Sequence, residues 1–276
     1  MPELPEVQTV LDTLHAQMGH ARIRDVRVCW DRIIQGDTDT FCALVRGRRI
    51  EDYARIGKYL CFDLGDVWWI AHLRMEGKFY LQQPEEPYAP RHVHVIFELE
   101  DGRELRYHDT RKFGRMYAYE KKGSLRECPC FARVGKDALD EGLSADELYH
   151  SLHGRHVTLK QALLIAPFSA GIGNIYADEI CFAAGLHPLT KAYRLRRKDA
   201  EELLVQARRI LNGAIRAGGT TIRSYTSSLG VDGRFQLQLK VHAKKGEPCP
   251  VCGNEIIKVQ ANGRGTYYCA KCQKRR

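Results

Sequence analysis

The chain has 276 residues and a formal net charge of +9, with 44% hydrophobic and 28% charged residues. This composition is typical of a folded globular protein, and the length allows two domains with separate cores. Positive charge spread along the chain favours a polyanionic partner such as nucleic acid, although a basic protein can also lack one. No run of about 18 apolar residues predicts a membrane span, and the N-terminus lacks the pattern of a signal peptide.

The residues that follow Met1 suit either a reactive N-terminus or an ordinary helix start. If Met1 is removed, Pro2 carries a secondary amine that can attack a sugar C1′ and form a positively charged iminium. Glu3 and Glu6 are three residues apart and therefore share one face of a helix. Prolines in a first turn and acids near the positive end of the helix dipole equally favour a plain helix start.

A helix is predicted from Val7 to Met18, because apolar residues recur there at the spacing of one helical face, and Gly19 is expected to end it. From Ile23 to about Tyr119 the pattern changes to short β-type runs separated by turns. The predicted strands are Ile23–Trp30, Tyr59–Asp63, Val67–His72, Lys78–Leu81, His94–Glu98, Glu104–His108 and Arg115–Tyr119. Many short strands predict a β-sandwich or a β-barrel, here with one N-terminal helix.

Helical spacing returns in the second half of the chain. The stretch from Lys121 to Ala138 has no clear periodicity and is predicted to link two domains, with Cys128 and Cys130 as unpaired thiols. Ser144-x-x-Glu147 is a capping box that precedes a short helix. Further helices are predicted at about Thr158–Leu164, Ile175–Ala184 and Arg197–Ala217.

Two glycine-rich stretches interrupt these helices. Gly171 and Gly173 form a tight turn ahead of a helix N-terminus, where backbone N–H groups can hold a phosphate. Many helix–helix turns, however, need glycine for steric reasons only. The polar stretch Gly218–Gly230 is long for a connection between helices and is predicted to be a functional loop, with disorder as the alternative.

The C-terminal region contains two Cys-x-x-Cys pairs, separated by 16 residues. Such pairs can bind one tetrahedral Zn²⁺ through their four sulfurs, with a hairpin between them. Two disulfides are the alternative, but the missing signal peptide argues against them. Arg264 is expected at the hairpin tip, where positive charge predicts contact with a phosphate backbone. The four candidate ligands are Cys249, Cys252, Cys269 and Cys272.

Several motifs occur in a fixed order, and together they resemble the bacterial formamidopyrimidine-DNA glycosylases, which repair oxidised purines. The motifs are Pro2–Val7, Gly57–Leu60, His72–Gly77, Asp109–Gly114, Gly171–Tyr176 and the four-cysteine segment. The resemblance implies an α+β fold with four parts: a catalytic β-sandwich domain (1–122), a linker (123–138), a helix–two-turn–helix domain (139–240) and a zinc ribbon (241–276). It also implies one structural Zn²⁺, a monomer in the bacterial cytoplasm, and duplex DNA with oxidised purines as the partner.

The resemblance further implies a reaction and the residues that perform it. Pro2 would attack C1′, expel the damaged base and form the iminium, while Glu3 and Glu6 would transfer protons. Lys58 would protonate the damaged nucleotide, although outside this family it would be read as a surface lysine. Arg264 would bind phosphates beside the lesion and assist the second elimination. β-Elimination followed by δ-elimination would leave a one-nucleoside gap.

The family also extrudes the damaged nucleotide from the stacked duplex before it reacts. Met75, Arg111 and Phe113 would fill the resulting hole, although Met75 and Phe113 could instead be core residues. The loop Thr220–Gly230 would close over the extruded base. Further DNA contacts are implied for His92, Arg111, His156, Lys160 and Asn174, with His156 standing where relatives usually have lysine.

Two stretches depart from the family pattern without touching a proposed catalytic group. Leu163–Pro167 replaces a common Leu-Leu-Asp-Gln, and Gly135–Leu139 replaces a common Gly-Pro-Glu-Pro-Leu. Two other functions are considered. An endonuclease VIII-type enzyme for oxidised pyrimidines usually has glycine where this chain has Leu4, so the purine enzyme is favoured. A DNA-binding protein that does not cut would result if Met1 stayed and blocked the Pro2 nitrogen.

Overall fold

The computed structural model of the protein describes residues 1–165, 170–220 and 234–276. Contacts between Cα atoms divide the chain into two compact units. The first contains Met1–Pro2, Glu6–Ala132 and Thr220, and the second contains Glu3–Pro5, Arg133–Gly219 and Arg234–Arg276. No helix in the described ranges is long and apolar enough to cross a membrane.

The first unit is a β-sandwich. Its strands are β1 (Ile23–Val28), β2 (Asp52–Ile56), β3 (Tyr59–Asp63), β4 (Val67–His72), β5 (Lys78–Gln82), β6 (Val93–Leu99), β7 (Glu104–His108) and β8 (Arg115–Glu120). One four-stranded sheet has the order β1–β6–β7–β5, and the other has the order β2–β3–β4–β8. All neighbouring strands pair antiparallel. The predicted β-sandwich is therefore confirmed.

Aromatic side chains from both sheets form the centre of this core. The Trp69 ring of β4 stacks on Phe62 of β3 with 4.1 Å between centroids. It also lies 4.2 Å from the ring of Phe97 on β6. These side chains are fully buried, and large aromatic surfaces contribute strongly to the stability of such a core. The core thereby supports the loops that leave the strand ends.

Two helices accompany the sheets, where the sequence pattern predicted one. The predicted first helix is confirmed as α1 (Leu4–Met18), and Gly19 ends it with a φ of 51°, a conformation that favours glycine. The additional helix is α2 (Thr38–Val45), where Asp37 accepts a hydrogen bond from the Thr40 N–H. Its eight residues are too few to show a clear helical period.

The second unit contains helices and a β-hairpin. The helices are α3 (Ala145–His153), α4 (Leu159–Ile165), α5 (Asn174–Ala183) and α6 (Arg197–Arg216), and the hairpin pairs β9 (Ile257–Ala261) with β10 (Arg264–Tyr268). Ser144 caps α3 by accepting a hydrogen bond from the Glu147 N–H at 3.1 Å. The Glu147 carboxylate instead pairs with Lys136 at 2.8 Å, so only half of the predicted capping box is seen.

The predicted linker is compact rather than extended. Within the first unit it forms two short 3₁₀ turns, Leu125–Glu127 and Pro129–Phe131. In the second unit, Arg208 of α6 donates hydrogen bonds to the carbonyls of Ala138, Asp140 and Leu143. The guanidinium of one partly buried arginine thus holds the start of the helical region against α6. All ten cysteines are free thiols.

Candidate functional site

The carboxylate of Glu3 lies at the N-terminus of α5. It accepts hydrogen bonds from the backbone N–H groups of Gly173 at 2.7 Å, Ile175 at 2.9 Å and Tyr176 at 3.3 Å. A helix N-terminus has unpaired N–H groups and partial positive charge, both of which stabilise a carboxylate. The glycine turn, for which phosphate binding and a purely steric role were both considered, presents these donors to Glu3, whose side chain is fixed as a result.

Glycine is required in this turn because residues 3–5 approach it closely. Gly171 has a φ of 100°, and a Cβ there would lie 2.7 Å from the Cβ of Leu4. A Cβ on Gly173 would overlap the carboxyl carbon of Glu3. The Leu4 N–H also donates to the Gly171 carbonyl at 2.9 Å. Leu4, at which the sequence favoured the purine enzyme over the pyrimidine enzyme, is thus part of the close fit.

Glu6, the second candidate acid, has a partner in the first unit. Its carboxylate accepts hydrogen bonds from the N–H of Thr220 at 2.8 Å and from the Thr220 hydroxyl at 2.9 Å. Both Glu6 and Pro2 are buried. Thr220 is the first residue of the predicted capping loop, and residues 221–230 of that loop lie outside the described residues.

A neutral histidine shapes the loop that carries Met75. Burial, together with the positive charges of Arg74 and Lys58, lowers the pKa of His72 to about 3. Its Nδ1 therefore accepts a hydrogen bond from the Arg74 N–H at 3.0 Å, and Arg74 has a φ of 55°. The Met75 side chain is partly exposed just beyond this turn. Lys58 lies in the turn between β2 and β3 and is also partly exposed.

Asp109 organises the second loop, which carries Arg111 and Phe113. Its carboxylate is fully buried and accepts the backbone N–H groups of Arg111, Phe113 and Gly114, each at 2.9 Å. A buried carboxylate needs such donors, so the loop adopts one conformation around it. Gly114 is required because a Cβ there would overlap the Tyr107 hydroxyl.

The two functional candidates of this loop project from it. The Phe113 side chain is 46% exposed, so it is not a core residue. The Arg111 guanidinium lies 4.7 Å from the centre of the Phe113 ring, a cation–π distance. An exposed aromatic ring costs stability in water, and its position at a loop tip suits a contact with a partner.

His92 lies in the same unit, in a 3₁₀ turn that leads into β6. Its Nε2 accepts a hydrogen bond from Arg91 Nε at 3.0 Å, and its ring centroid is 5.4 Å from that of His108. His94 is buried nearby, and its Nε2 lies 2.7 Å from the Asp109 carbonyl. The histidines are therefore close to the loop that Asp109 organises.

In the second unit, two predicted DNA contacts meet beside Arg264. Lys160 Nζ donates to the carbonyl of Gly265 at 2.8 Å, and Asn174 Nδ2 donates to the same oxygen at 3.3 Å. Arg264 is exposed at the start of β10. Lys160 is only 3% exposed, and its Nζ lies 2.7 Å from the Asp178 carboxylate. These contacts position the hairpin, while the DNA contacts of these residues stay predictions.

A cavity of about 240 Å³ lies beside Arg264 and is lined by α4 and the hairpin. Lys160 and Arg264 contribute positive charge to it. Ile165, which lies in the stretch that departs from the expected motif, is 55% exposed at the cavity wall. The departure therefore places an apolar side chain at the edge of this cavity. His156 is also exposed, with its ring 5.1 Å from that of Tyr193.

Adjacent acids of α5 attach the ribbon to the helices. Glu179 accepts the backbone N–H groups of Lys240, Val241 and His242 at 2.8–2.9 Å. Asp178 lies 2.8 Å from His242 Nδ1. Both carboxylates are buried, so their many partners are needed to offset desolvation. No pattern in the sequence distinguished this pair from ordinary helical acids.

The four predicted zinc ligands converge on one point. Their sulfurs all lie within 4.8 Å of one another, with Cys249 to Cys272 at 3.8 Å and Cys252 to Cys269 at 3.4 Å. A tetrahedral zinc with Zn–S bonds of about 2.3 Å places its sulfurs about 3.8 Å apart. The donor set and spacing therefore fit a structural Zn²⁺.

Comparison with known proteins agrees with this geometry. The sequence matches family models described as the formamidopyrimidine-DNA glycosylase N-terminal domain (residues 1–116), the formamidopyrimidine-DNA glycosylase H2TH domain (134–226) and a zinc finger found in FPG and IleRS (246–275). It is 43% identical to the formamidopyrimidine-DNA glycosylase of Bacillus licheniformis over 100% of both chains. The chain belongs to the formamidopyrimidine-DNA glycosylase family. The Bacillus subtilis member is also 43% identical, over 99% of each chain.

Solved structures of family members have the same fold. A Lactococcus lactis Fpg bound to DNA with an abasic site superimposes with a TM-score of 0.90 at 33% identity, over 99% of this chain and 100% of that chain. The MutM (FPG) protein of Thermus thermophilus gives a TM-score of 0.87 at 37% identity, over 99% and 98%. The predicted fold, family and structural zinc are confirmed. The domain boundaries at 122, 138 and 240 stay predictions.

Members of the family are DNA glycosylases of base excision repair that also have AP lyase activity, and the predicted enzyme class is confirmed for this chain. The fold places the predicted residues in two groups, one in each unit. Pro2, Glu6, Lys58 and the two loops around Met75 and Arg111 belong to the first unit. Residues that support them, above all His72 and Asp109, were not predicted as site residues, although Asp109 opens a motif that carries the resemblance.

Proposed function

We propose that the protein removes oxidised purines, such as 8-oxoguanine and ring-opened formamidopyrimidines, from duplex DNA and then cleaves the strand. The observation that carries this proposal is the fixed carboxylate of Glu3, which follows Pro2 directly and is held by three N–H donors of α5. An acid held in one position on the residue that follows an N-terminal secondary amine suits proton transfer to and from a sugar bound to that amine. The proposal requires that Met1 is removed.

The Pro2 nitrogen attacks C1′ of the damaged nucleotide, and the bond from C1′ to the base breaks as the base leaves with a proton. Opening of the sugar ring then gives the iminium, with Glu3 moving protons to and from the ring oxygen and the amine. Loss of a C2′ proton breaks the C3′–O bond and releases the 3′-phosphate, and loss of a C4′ proton in the second elimination breaks the C5′–O bond and releases the 5′-phosphate. Glu6 acts as a second acid and base, and Lys58 protonates the damaged nucleotide.

Each unit contributes predicted contacts to the duplex. Met75, Arg111 and Phe113 fill the space left by the extruded nucleotide, since both loops present partly exposed side chains. Phosphate contacts come from His92, Arg111, His156, Asn174 and Arg264, with Lys160 contributing through the hairpin. Solved relatives include Lactococcus lactis Fpg bound to abasic-site DNA and to Fapy-dG-containing DNA. The four cysteines that would hold Zn²⁺ fix the ribbon that carries Arg264. The enzyme acts as a monomer in the bacterial cytoplasm.

Borohydride reduction during incubation with a duplex containing 8-oxoguanine opposite cytosine tests the proposal. We expect a covalent protein–DNA adduct, because borohydride reduces the iminium to a stable amine. Protein with an uncleaved N-terminal extension, which acylates the Pro2 nitrogen, is the matched control and should give no adduct. Intact mass establishes that Met1 is absent. If fully processed protein yields no adduct, the proposal is wrong.

The same assay separates the purine enzyme from the pyrimidine enzyme. A parallel duplex contains thymine glycol, an oxidised pyrimidine, at the same position. We expect the adduct to form faster with 8-oxoguanine, because Leu4 packs in the glycine turn where pyrimidine enzymes usually have glycine. Faster trapping with thymine glycol would reverse the assignment of substrate.

A further inference from the structure

A groove of about 920 Å³ lies in the second unit, between the C-terminal end of α5, one face of α6 and the ribbon. Its lining includes the large apolar side chains of Phe182, Ile210, Phe235 and Val251. The first three are less than 10% exposed and form a floor, whereas Val251 is 74% exposed at the rim. None of these residues has a role in the proposed reaction, so the groove needs a separate explanation.

The groove and the predicted DNA contacts of this unit lie at opposite ends of the same elements. Asn174 begins α5, whereas Phe182 is next to its last residue, and at 1.5 Å per residue these positions are about 12 Å apart. Arg264 lies at the hairpin tip, whereas Val251 lies in the cysteine turn beyond the other end of β9 and β10. Five-residue strands place these ends about 15 Å apart. The groove therefore lies about 12–15 Å along these elements from Asn174 and Arg264.

The rim of the groove is positively charged and has no bound counter-charge. Arg209, Arg216 and Lys240 line it and are exposed, and among the described residues none of them is in an ion pair. Arg209 Nε donates to the neutral side chain of Gln206 at 2.7 Å. The acidic residue in the lining is Glu179, whose carboxylate is already bonded to three backbone N–H groups.

We propose that this groove binds a short acidic peptide of a partner protein, with one bulky apolar side chain. The apolar side chain would fill the floor formed by Phe182, Ile210 and Phe235, and the carboxylates would pair with the cations on the rim. Peptide anchors of this kind bind in apolar pockets, with charged groups around them that give specificity. A DNA backbone fits less well, because it carries no apolar side chain to occupy the floor.

Fluorescence anisotropy with a fluorescein-labelled peptide of four aspartates and a terminal phenylalanine tests the proposal. The full-length zinc-loaded protein is first saturated with a duplex that contains an abasic-site analogue. We expect saturable binding that weakens about fivefold in Arg216→Ala and in Lys240→Ala, the effect of losing about 1 kcal/mol of charge pairing. A peptide with glycine in place of phenylalanine should bind the unmodified protein at least as weakly as the original peptide binds these two variants.

The matched control is Lys198→Ala, which removes an exposed cation of α6 outside the groove. It should bind the peptide like the unmodified protein, and all three variants should retain glycosylase activity and zinc. Equal peptide affinity in the groove variants and the control would overturn the proposal, as would the absence of binding. Displacement of the bound peptide by additional DNA would also overturn the proposal, because the groove would then be a phosphate-contact surface. Since binding is measured without turnover, the result does not depend on the proposed reaction.

Discussion

Two buried carboxylates accept several hydrogen bonds from the backbone, and these bonds fix candidate functional residues. Glu3 is held by N–H groups of α5, and Asp109 holds the loop of Arg111 and Phe113 in the same manner. In both places a glycine has no space for a side chain. Because each carboxylate has several donors, a change in one donor residue is expected to alter function more than overall stability.

Gly173→Ala tests the fixed position of Glu3. The new Cβ would overlap the Glu3 carboxyl carbon, so the carboxylate must move, and a shift of about 1 Å can reduce turnover about 100-fold. Single-turnover excision of 8-oxoguanine measures this loss. The control is Gly213→Ala in α6, where the nearest atom to a new Cβ is 3.8 Å away. Activity of Gly173→Ala equal to that of the control would show that Glu3 need not be fixed.

Asp109→Asn tests the loop that carries Arg111 and Phe113. The amide keeps the shape of the carboxylate but turns one acceptor into a donor that faces backbone N–H groups, which we expect to cost about 1–3 kcal/mol. Affinity for duplex DNA with an abasic-site analogue should fall as the loop loses its conformation. Asp101→Asn, in an exposed turn of the same sandwich, is the control. An unchanged dissociation constant in Asp109→Asn would contradict this role.

At the scale of secondary structure, α5 connects Glu3, the proposed catalytic acid, to the ribbon. Its N-terminus holds Glu3, while Asp178 and Glu179 in its middle contact His242 and the chain that enters the ribbon. The position of α5 could be predicted from helical spacing and its glycine turn. Its partners could not, because Glu3 and Gly173 are 170 residues apart and short-range pattern carries no information about such pairs.

Two elements, α2 and β2, were not predicted from the sequence, and the reason lies in their own residues. α2 spans eight residues, and β2 has charged residues at Asp52 and Arg55 with little burial, so neither shows a clear period. The zinc ligands, in contrast, were predicted fully, since the two pairs and their spacing are sufficient to identify such a site. Local motifs therefore predicted the zinc ligands and the helix ends. The residues that hold the candidate site in place could be recognised only from tertiary contacts.

Cys252→Ser tests the coupling between the zinc ribbon and DNA binding. Serine replaces a thiolate ligand, so we expect loss of bound zinc measured by elemental analysis, together with weaker binding of lesion duplex. Cys29→Ser is the matched control, because Cys29 is an exposed thiol outside the cluster. Zinc loss with unchanged DNA affinity would remove the ribbon from the binding surface.

For the whole molecule, stability should fall in mild acid. The folded protein lowers the pKa of His72 to about 3 through burial and through the charges of Arg74 and Lys58. The unfolded chain takes up this proton below about pH 6.5, while the folded protein does not until about pH 3. The contribution of neutral His72 to the free energy of unfolding is thus complete above pH 6.5 and is lost as the pH falls toward 3.

Urea unfolding of the unmodified protein and of His72→Asn measures this contribution. Asparagine can still accept a hydrogen bond from the Arg74 N–H but does not titrate. The fall in the free energy of unfolding between about pH 6.5 and 5 should therefore be about 2 kcal/mol smaller in His72→Asn than in the unmodified protein. Other buried histidines with lowered pKa values, such as His94 and His187, affect both proteins equally. Identical losses in the two proteins would show that His72 does not carry the effect.

The account depends most on the identity of the nucleophile. After borohydride trapping on 8-oxoguanine duplex, nuclease and protease digestion followed by tandem mass spectrometry locates the residue that carries the sugar remnant. We predict that the remnant is attached to the nitrogen of Pro2, in the N-terminal peptide that lacks Met1. Attachment to a lysine side chain such as Lys58 would contradict the account.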